Sequence, residues 1–279
     1  MMMKENLENR IVFWDSGAGG LPYADYFRKR NPDVPLLYLA DNLNFPYGPK
    51  SKDELIACTV PLAEKLIKTY KPSLIVLVCN TLSVSALQVF RDTFPGTEFV
   101  GTVPAIKPAA LASKTGRIGI IGTERTVSDS YTTDLLHSAQ SACILVNVAA
   151  PDLVAFAEIN FALLEKDEFE TQGAFLIKPY IETLRTEKVD SLVLGCTHFL
   201  HLKEAFVKLA TPDISIFDSV DGVARRIEEL IKREAPNTQS LFTGKLCEQI
   251  LLLSNNDVSD LIWQKRAEEY GFKIAGFGN

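Results

Sequence analysis

Two cysteines stand at the ends of matched aliphatic runs. Leu74-Ile75-Val76-Leu77-Val78 leads into Cys79-Asn80-Thr81, and Leu192-Val193-Leu194-Gly195 leads into Cys196-Thr197-His198. An unbroken aliphatic run reads as a strand buried on both faces, as in a parallel sheet. Each cysteine then falls at a strand's carboxyl end, where open α/β sheets place their ligands. A thiol is a useful acid or base because its pKa lies near neutrality and moves with its surroundings. Two thiols on opposite walls of a cleft suit the movement of a proton from one face of a carbon to the other. One, as thiolate, removes the proton; the other, as thiol, donates from behind. An amino-acid α-proton is a very weak acid, so the site must also stabilise carbanionic character with donors aimed at the carboxylate. N–H groups at helix starts and Ser or Thr hydroxyls can do this. Ser16, Asn80, Thr81, Thr123 and Thr197 all fall at strand-to-helix turns.

Plainer readings compete. An isolated cysteine after an apolar run is more often core than catalyst, and only the matched pair changes that balance. Cys58, Cys143 and Cys247 lie inside helix-like or strand-like runs and read as structural. Asp15-Ser16-Gly17 also reads as a tight turn, and Asp218 as a helix cap. Cys196, His198 and His201 hint at zinc, but no second Cys-x-x-Cys completes the ligand set. The turn Ser16 to Gly20 lacks the Gly-Lys-Ser/Thr ending of a phosphate loop. The residues therefore call for no metal and no nucleotide.

The elements that must position these groups alternate between strand and helix. Ile11 to Trp14 reads as a strand ending at the glycine-rich turn, followed by a helix from Leu21 to Arg30. Pro35 to Ala40 is a second strand, ending at Asp41. Ser51 and Glu54 form a capping box for a helix to about Tyr70. After the Cys79 strand comes a helix from Leu82 to Arg91, then a short strand, Phe99 to Val103. Arg117 to Ile121 and Cys143 to Val148 read as strands, with a helix from Thr126 to Ser138 between them. Pro151 to Glu187 reads as two helices broken near Gly173. A helix from Leu202, a strand Ile214 to Phe217 and a long helix to Ile231 follow the Cys196 strand. The remainder gives a strand, Leu241 to Thr243, two helical pieces and a loose end from Gly276 to Asn279.

A repeat emerges. Asp15 and Thr123 end corresponding strands 108 residues apart, and so do Asp41 and Ala149. Cys79 and Cys196 are 117 apart, the surplus falling after Pro151. The expected fold is α/β: two similar α/β domains with mainly parallel sheets, pseudo-symmetric, with the active site in the cleft between them. The first domain comprises residues 1–100 plus 217–279, the second 101–216.

The bulk properties narrow the class. Of 279 residues 47% are hydrophobic, enough for a real core, and the net charge of −6 argues against a nucleic-acid or membrane-surface binder. Met1 to Arg10 is charged and lacks the apolar stretch of a signal peptide. No apolar run is long enough to span a bilayer. Five scattered cysteines do not resemble a disulfide framework. A reducing, cytoplasmic setting fits best.

Taken together, the motifs resemble those of the cofactor-independent glutamate racemases, over nearly the whole chain and in order. They are Asp15-Ser16-Gly17-Ala18-Gly19-Gly20-Leu21, Ala40-Asp41 with Phe45-Pro46-Tyr47-Gly48, Cys79-Asn80-Thr81, Gly101 to Ala105, Ile118 to Thr123, Gly195-Cys196-Thr197-His198 and Asp218. The resemblance implies interconversion of L-glutamate and D-glutamate to supply D-glutamate for peptidoglycan, without cofactor. Cys79 would act on the D-substrate and Cys196 on the L-substrate. Asp15 would assist Cys79; Glu158 and His198 would assist Cys196. Substrate contacts would come from Asp15, Ser16, Tyr47, Gly48, Asn80, Thr81, Thr197 and His198. The family also implies a homodimer. Ala18, Leu82-Ser83-Val84, Ala155 to Asn160 and Phe199-Leu200 depart from the family's usual wording. The alternatives are an aspartate or other acidic amino-acid racemase, whose second motif typically has Glu where this chain has His198, and a two-lobed amino-acid binding protein.

Overall fold

A computed structural model describes residues 7–139, 142–233 and 248–278. The described strands are β1 (Ile11–Asp15), β2 (Leu36–Ala40), β3 (Leu74–Leu77), β4 (Phe99–Gly101), β5 (Arg117–Gly122), β6 (Ile144–Ala149), β7 (Ser191–Leu194), β8 (Ser215–Phe217), β9 (Ile250–Leu253) and β10 (Lys273–Gly276). They form two sheets, ordered β10-β9-β2-β1-β3-β4 and β6-β5-β7-β8, with every pairing parallel. The order β2-β1-β3-β4 in the first sheet recurs as β6-β5-β7-β8 in the second, which is the repeat expressed as topology. In each, the chain reverses its direction of growth beside the first strand. Such a switch point opens a crevice at the strands' carboxyl ends.

Helices cover both sheets: α1 (Leu21–Arg30), α2 (Lys52–Tyr70), α3 (Asn80–Thr93), α4 (Ile106–Ala112), α5 (Glu124–Ser128), α6 (Ser130–Ser138), α7 (Pro151–Asn160), α8 (Lys166–Thr186), α9 (Lys203–Ala210), α10 (Val220–Arg233) and α11 (Leu261–Glu269). A 3₁₀ turn, Thr197–Leu200, follows β7. Because β1, β2, β3 and β9 are sandwiched, every one of their residues is buried. Trp14 stacks on Phe90 at 5.6 Å on one face, and Phe13 meets Phe27 at 5.7 Å on the other. Each such side chain removed from water contributes roughly 1.5–3 kcal/mol. No helix among the described residues is long and apolar enough to cross a membrane.

Several expectations need correction. The break after α7 lies at residues 161–165, not near Gly173. Gly173 sits inside α8 because a Cβ there would come within 2.7 Å of Leu202 Cδ2; it admits a neighbour and does not end a helix. The helix expected over Thr126 to Ser138 is two, α5 and α6, because Thr123 and Asp129 each cap their own first turn. The strand expected over Leu241 to Thr243, and Cys247, lie outside the described residues. Beyond them, Ile250-Leu251-Leu252-Leu253 is a strand on the edge of β2, and Lys273–Gly276 pairs with it. Gly276 is thus part of a sheet, and Phe277 is buried with its ring 5.9 Å from Tyr70. Four aliphatic residues carry too little periodicity to separate strand from helix.

Candidate active site

β1 and β3 of the first sheet lead into Ser16 and Cys79, and β5 and β7 of the second lead into Thr123 and Cys196. Both cysteines line one cavity of about 180 Å³, with Ser16, Tyr47, Gly48, Asn80, Thr81, Thr123, Thr197 and His198 also in its wall. The two thiols therefore meet the same space from different sheets. Both cysteines are 6% exposed, with fully buried residues at the backs of their strands.

Cys79 occupies the N-cap of α3. Burial pushes its thiol well above the ordinary value, and the negative charge of Asp15 adds to this; the N–H groups of Leu82 and Thr81 pull weakly the other way. Asp15 itself is wholly buried. Its Oδ1 accepts from Ser16 N at 2.5 Å, Ser16 Oγ at 3.2 Å and Gly17 N at 3.3 Å, and its Oδ2 accepts from Thr197 Oγ1 at 2.9 Å. Burial also raises the Asp15 carboxyl above its usual value. Asp15 stands behind the cavity wall, joining the first lobe's turn to the second lobe's Thr197.

Cys196 has different company. Its sulfur is 3.6 Å from His198 Nδ1, and His198 Nε2 donates to Glu158 Oε2 at 2.8 Å. Burial opposes a charged imidazole, but the bonds to Cys196 and Glu158 outweigh it and hold His198 well above its ordinary pKa. Burial likewise opposes charge on Glu158, yet the bond from His198 and the cation of Arg266 bring it down to about 2. The result is an imidazolium–carboxylate pair with its Nδ1–H directed at sulfur. Glu158 lies behind His198, outside the cavity lining, and also accepts from Ala18 N at 2.9 Å. Gly19 allows this closeness: a Cβ there would lie 2.5 Å from Thr197 Oγ1 and 2.7 Å from His198 Nδ1.

Donors for a small polar ligand converge on the same space. Asn80 is 2% exposed and its amide nitrogen and oxygen are both buried without a partner. A buried amide left unpaired costs stability unless something supplies its bonds. Thr81 Oγ1 lies 3.0 Å from Thr123 Oγ1 and 3.3 Å from Thr126 Oγ1, with Thr123 and Thr126 3.0 Å apart. This hydroxyl triangle joins the two lobes. Tyr47 lines the cavity while its hydroxyl donates to Asp41 Oδ2 at 2.5 Å and accepts from Trp14 Nε1 at 3.3 Å. The tyrosine's polar end is thus engaged elsewhere, and its contribution to the cavity is as wall.

The structure brings together every site residue named from the sequence, eight of the polar or glycine positions in the lining and Asp15 and Glu158 behind it. His201 faces away: its Nε2 donates to Ala18 O at 3.0 Å, and the Phe161 ring lies tilted against its ring at 4.0 Å. Burial holds it neutral, with a pKa near 3. Among the described residues no group of three or more His, Cys, Asp or Glu is placed to share a metal. Asp218, expected as the cap of α10, lies one residue before that position, which Ser219 occupies; its Oδ1 accepts from Val220 N at 3.0 Å and it pairs with Lys203. Sequence reasoning missed Glu124, Pro151, Val154 and Ala155 in the cavity lining, Thr126 behind Thr81 and Thr123, and Arg266 behind Glu158. The spacing of Thr123 and Thr126, typical of a helix cap and its first turn, was the available signal for Thr126.

A fold of two matched parallel sheets with paired thiols between them defines a class of amino-acid racemases, and the comparisons agree. Residues 23–227 match the Asp/Glu/hydantoin racemase family, and this chain belongs to it. A glutamate racemase of Treponema pallidum is 32% identical over 271 residues, 96% of each chain. One from Brucella anthropi is 36% identical over 231 residues, covering 83% of this chain and 82% of that one. Among solved structures, Escherichia coli glutamate racemase in complex with L-glutamate and the activator UDP-MurNAc-Ala superimposes with a TM-score of 0.80 at 29% identity, over 96% of this chain and 97% of that one.

Proposed function

We propose that this chain is a glutamate racemase that interconverts L- and D-glutamate by proton transfer between Cys79 and Cys196. The observation that carries the reading is the placement of two buried thiols, one from each sheet, on a single cavity whose donors are Ser16, Asn80, Thr81, Thr123 and Thr197. Glutamate's α-carbon would lie between the sulfurs, its carboxylates on those hydroxyls and on the amide of Asn80. Cys196, beside the His198 imidazolium, would take the proton of L-glutamate. Cys79, held as a thiol by burial and by Asp15, would donate one to the opposite face. In the reverse direction Cys79 acts on D-glutamate and Cys196 donates. The hydrogen bonds aimed at the α-carboxylate stabilise charge as it develops.

Sheet membership favours a second lobe that begins after Gly101, which ends a strand of the first sheet, and runs through Phe217, which ends a strand of the second, so the expected bounds of 101 and 216 each move by one residue; the described residues on either side form the first lobe. By likeness to the family, the protein would act as a cytoplasmic homodimer, with no nucleic-acid partner, in supplying D-glutamate for peptidoglycan. The test is incubation with L-glutamate in deuterated water without added cofactor, followed by polarimetry and proton NMR. Loss of rotation with deuterium entering the α-position is expected. Turnover of L-aspartate in preference to L-glutamate would move the substrate, and binding without α-exchange would leave a receptor.

A further inference from the structure

Arg266 belongs to α11, which follows β9 and builds the first lobe, yet its guanidinium reaches α7 of the second. It is 2% exposed. Nη1 donates to Glu158 Oε1 at 2.7 Å, and Nη2 donates to the backbone carbonyl of the same residue. The guanidinium lies over the Trp263 ring at 4.5 Å, which fixes its plane. The fork thus grips Glu158 by side chain and main chain together. The other carboxylate oxygen, Oε2, receives Ala18 N and His198 Nε2. With both oxygens committed, Glu158 has one orientation, and the imidazole it holds has one direction for Nδ1, which is toward Cys196. Among the described residues no comparable cation stands behind Cys79, where Asp15 is the charged neighbour.

We propose that Arg266 is a positioning residue for the Cys196 half of the reaction, acting through Glu158 and His198. The assignment rests on the two-thiol racemase reading. Removing the fork leaves Glu158 free to turn, and small misplacements of a catalytic group can cost up to about 100-fold in rate.

The test compares wild type with Arg266→Met, Arg266→Lys, Glu158→Gln and the double variant Arg266→Met/Glu158→Gln. Racemization rates and primary isotope effects are measured with α-deuterated L- and D-glutamate. Arg266→Met is expected to lower kcat roughly 10–100-fold. Its isotope effect should rise with deuterated L-glutamate and fall with deuterated D-glutamate, because only the Cys196 step is slowed. In the Glu158→Gln background the same substitution should add little, as for residues in one network. Arg266→Lys keeps the charge but not the fork, so it should fold and still show the unequal isotope effects, which keeps the question open to decision if Arg266→Met does not fold. Additive losses in the double variant, or isotope effects that stay balanced in Arg266→Lys, would overturn the assignment. A wild-type protein that leaves the α-proton in place would overturn the racemase reading itself, a distinct result.

Discussion

The two halves of the site share a topology and differ in electrostatics. Cys79 and Cys196 each end the third strand of an equivalent order, at the mouth of a parallel sheet. Around Cys79 burial favours the protonated thiol, and the buried carboxylate of Asp15 adds to that. Around Cys196 stands an imidazolium backed by Glu158 and Arg266. A duplicated fold therefore supplies the symmetry that a two-faced proton transfer needs. Unequal neighbours then surround the two thiols: burial and a buried carboxylate raise the pKa of Cys79, while a hydrogen-bonded imidazole faces the sulfur of Cys196.

The comparison can be broken most severely at the sulfurs. Cys79→Ser and Cys196→Ser should each cut racemization by roughly 10²–10⁴-fold, the usual range for a positioned acid or base, as read by polarimetry on either enantiomer. Retention of full activity by both would end the two-thiol account. Next, His198→Asn removes the imidazolium from one half alone. A loss on the order of 100-fold in kcat is expected, with the Cys79 thiol still titrating as in wild type when followed by thiolate absorbance in a Cys196→Ser background.

Gly19→Ala forces a methyl group into Thr197 and His198, where the nearest atoms would lie at 2.5 and 2.7 Å. Overpacking of this kind costs about 1–3 kcal/mol, which a urea unfolding midpoint would register. Asp15→Asn sharpens the contrast from the other side: with the anion gone, Cys79 should titrate at lower pH, and an unmoved thiolate absorbance curve would show that burial alone sets it.

The smallest effect concerns stability against acid. Glu158 is held at about 2, below its ordinary 4.5, by His198 and Arg266 against the opposing effect of burial. A carboxylate depressed on folding contributes stability that is complete above its unfolded pKa and is lost as pH falls through the folded value. The loss should therefore run from 4.5 down toward 2. His198, raised on folding, contributes below its unfolded value of 6.5 and loses that contribution only as pH climbs through its higher folded value. Urea midpoints measured across the acid range should fall less steeply for Glu158→Gln than for wild type.

Much of this was legible before any coordinates, for particular reasons. Cys79 and Cys196 announced themselves because a buried parallel strand is written as a continuous aliphatic run, so its end is visible. The Ser51 capping box was equally plain, since both of its bonds are local. Glu158 came from family likeness, as nothing in Ala155 to Asn160 singles it out. Arg266 could not be found that way: it sits in a helix beyond residue 227, where the family match ends, and one arginine among surface charges carries no mark of burial. β9 was hidden by brevity, and Gly173 misled because a glycine that admits Leu202 looks the same in sequence as one that ends a helix. Phe199 is fully buried 5.8 Å from Phe206, so that departure from the family's wording is a matter of packing.

The strand order also has a consequence for how the molecule is made. The second sheet is drawn from one continuous stretch, Arg117 to Phe217, and all its strands are available as soon as that stretch has been synthesised. The first sheet has four strands by Gly101 but must wait for Ile250–Leu253 before β2 acquires its outer neighbour, and for Lys273–Gly276 before that neighbour is covered in turn. During that interval a nascent chain carries an open, fully apolar strand edge, the kind of surface that recruits chaperones or other nascent chains. A ribosome that stalls before residue 266 would release both thiols but not the guanidinium behind one of them, so unfinished chains would lack part of the site as well as part of the sheet.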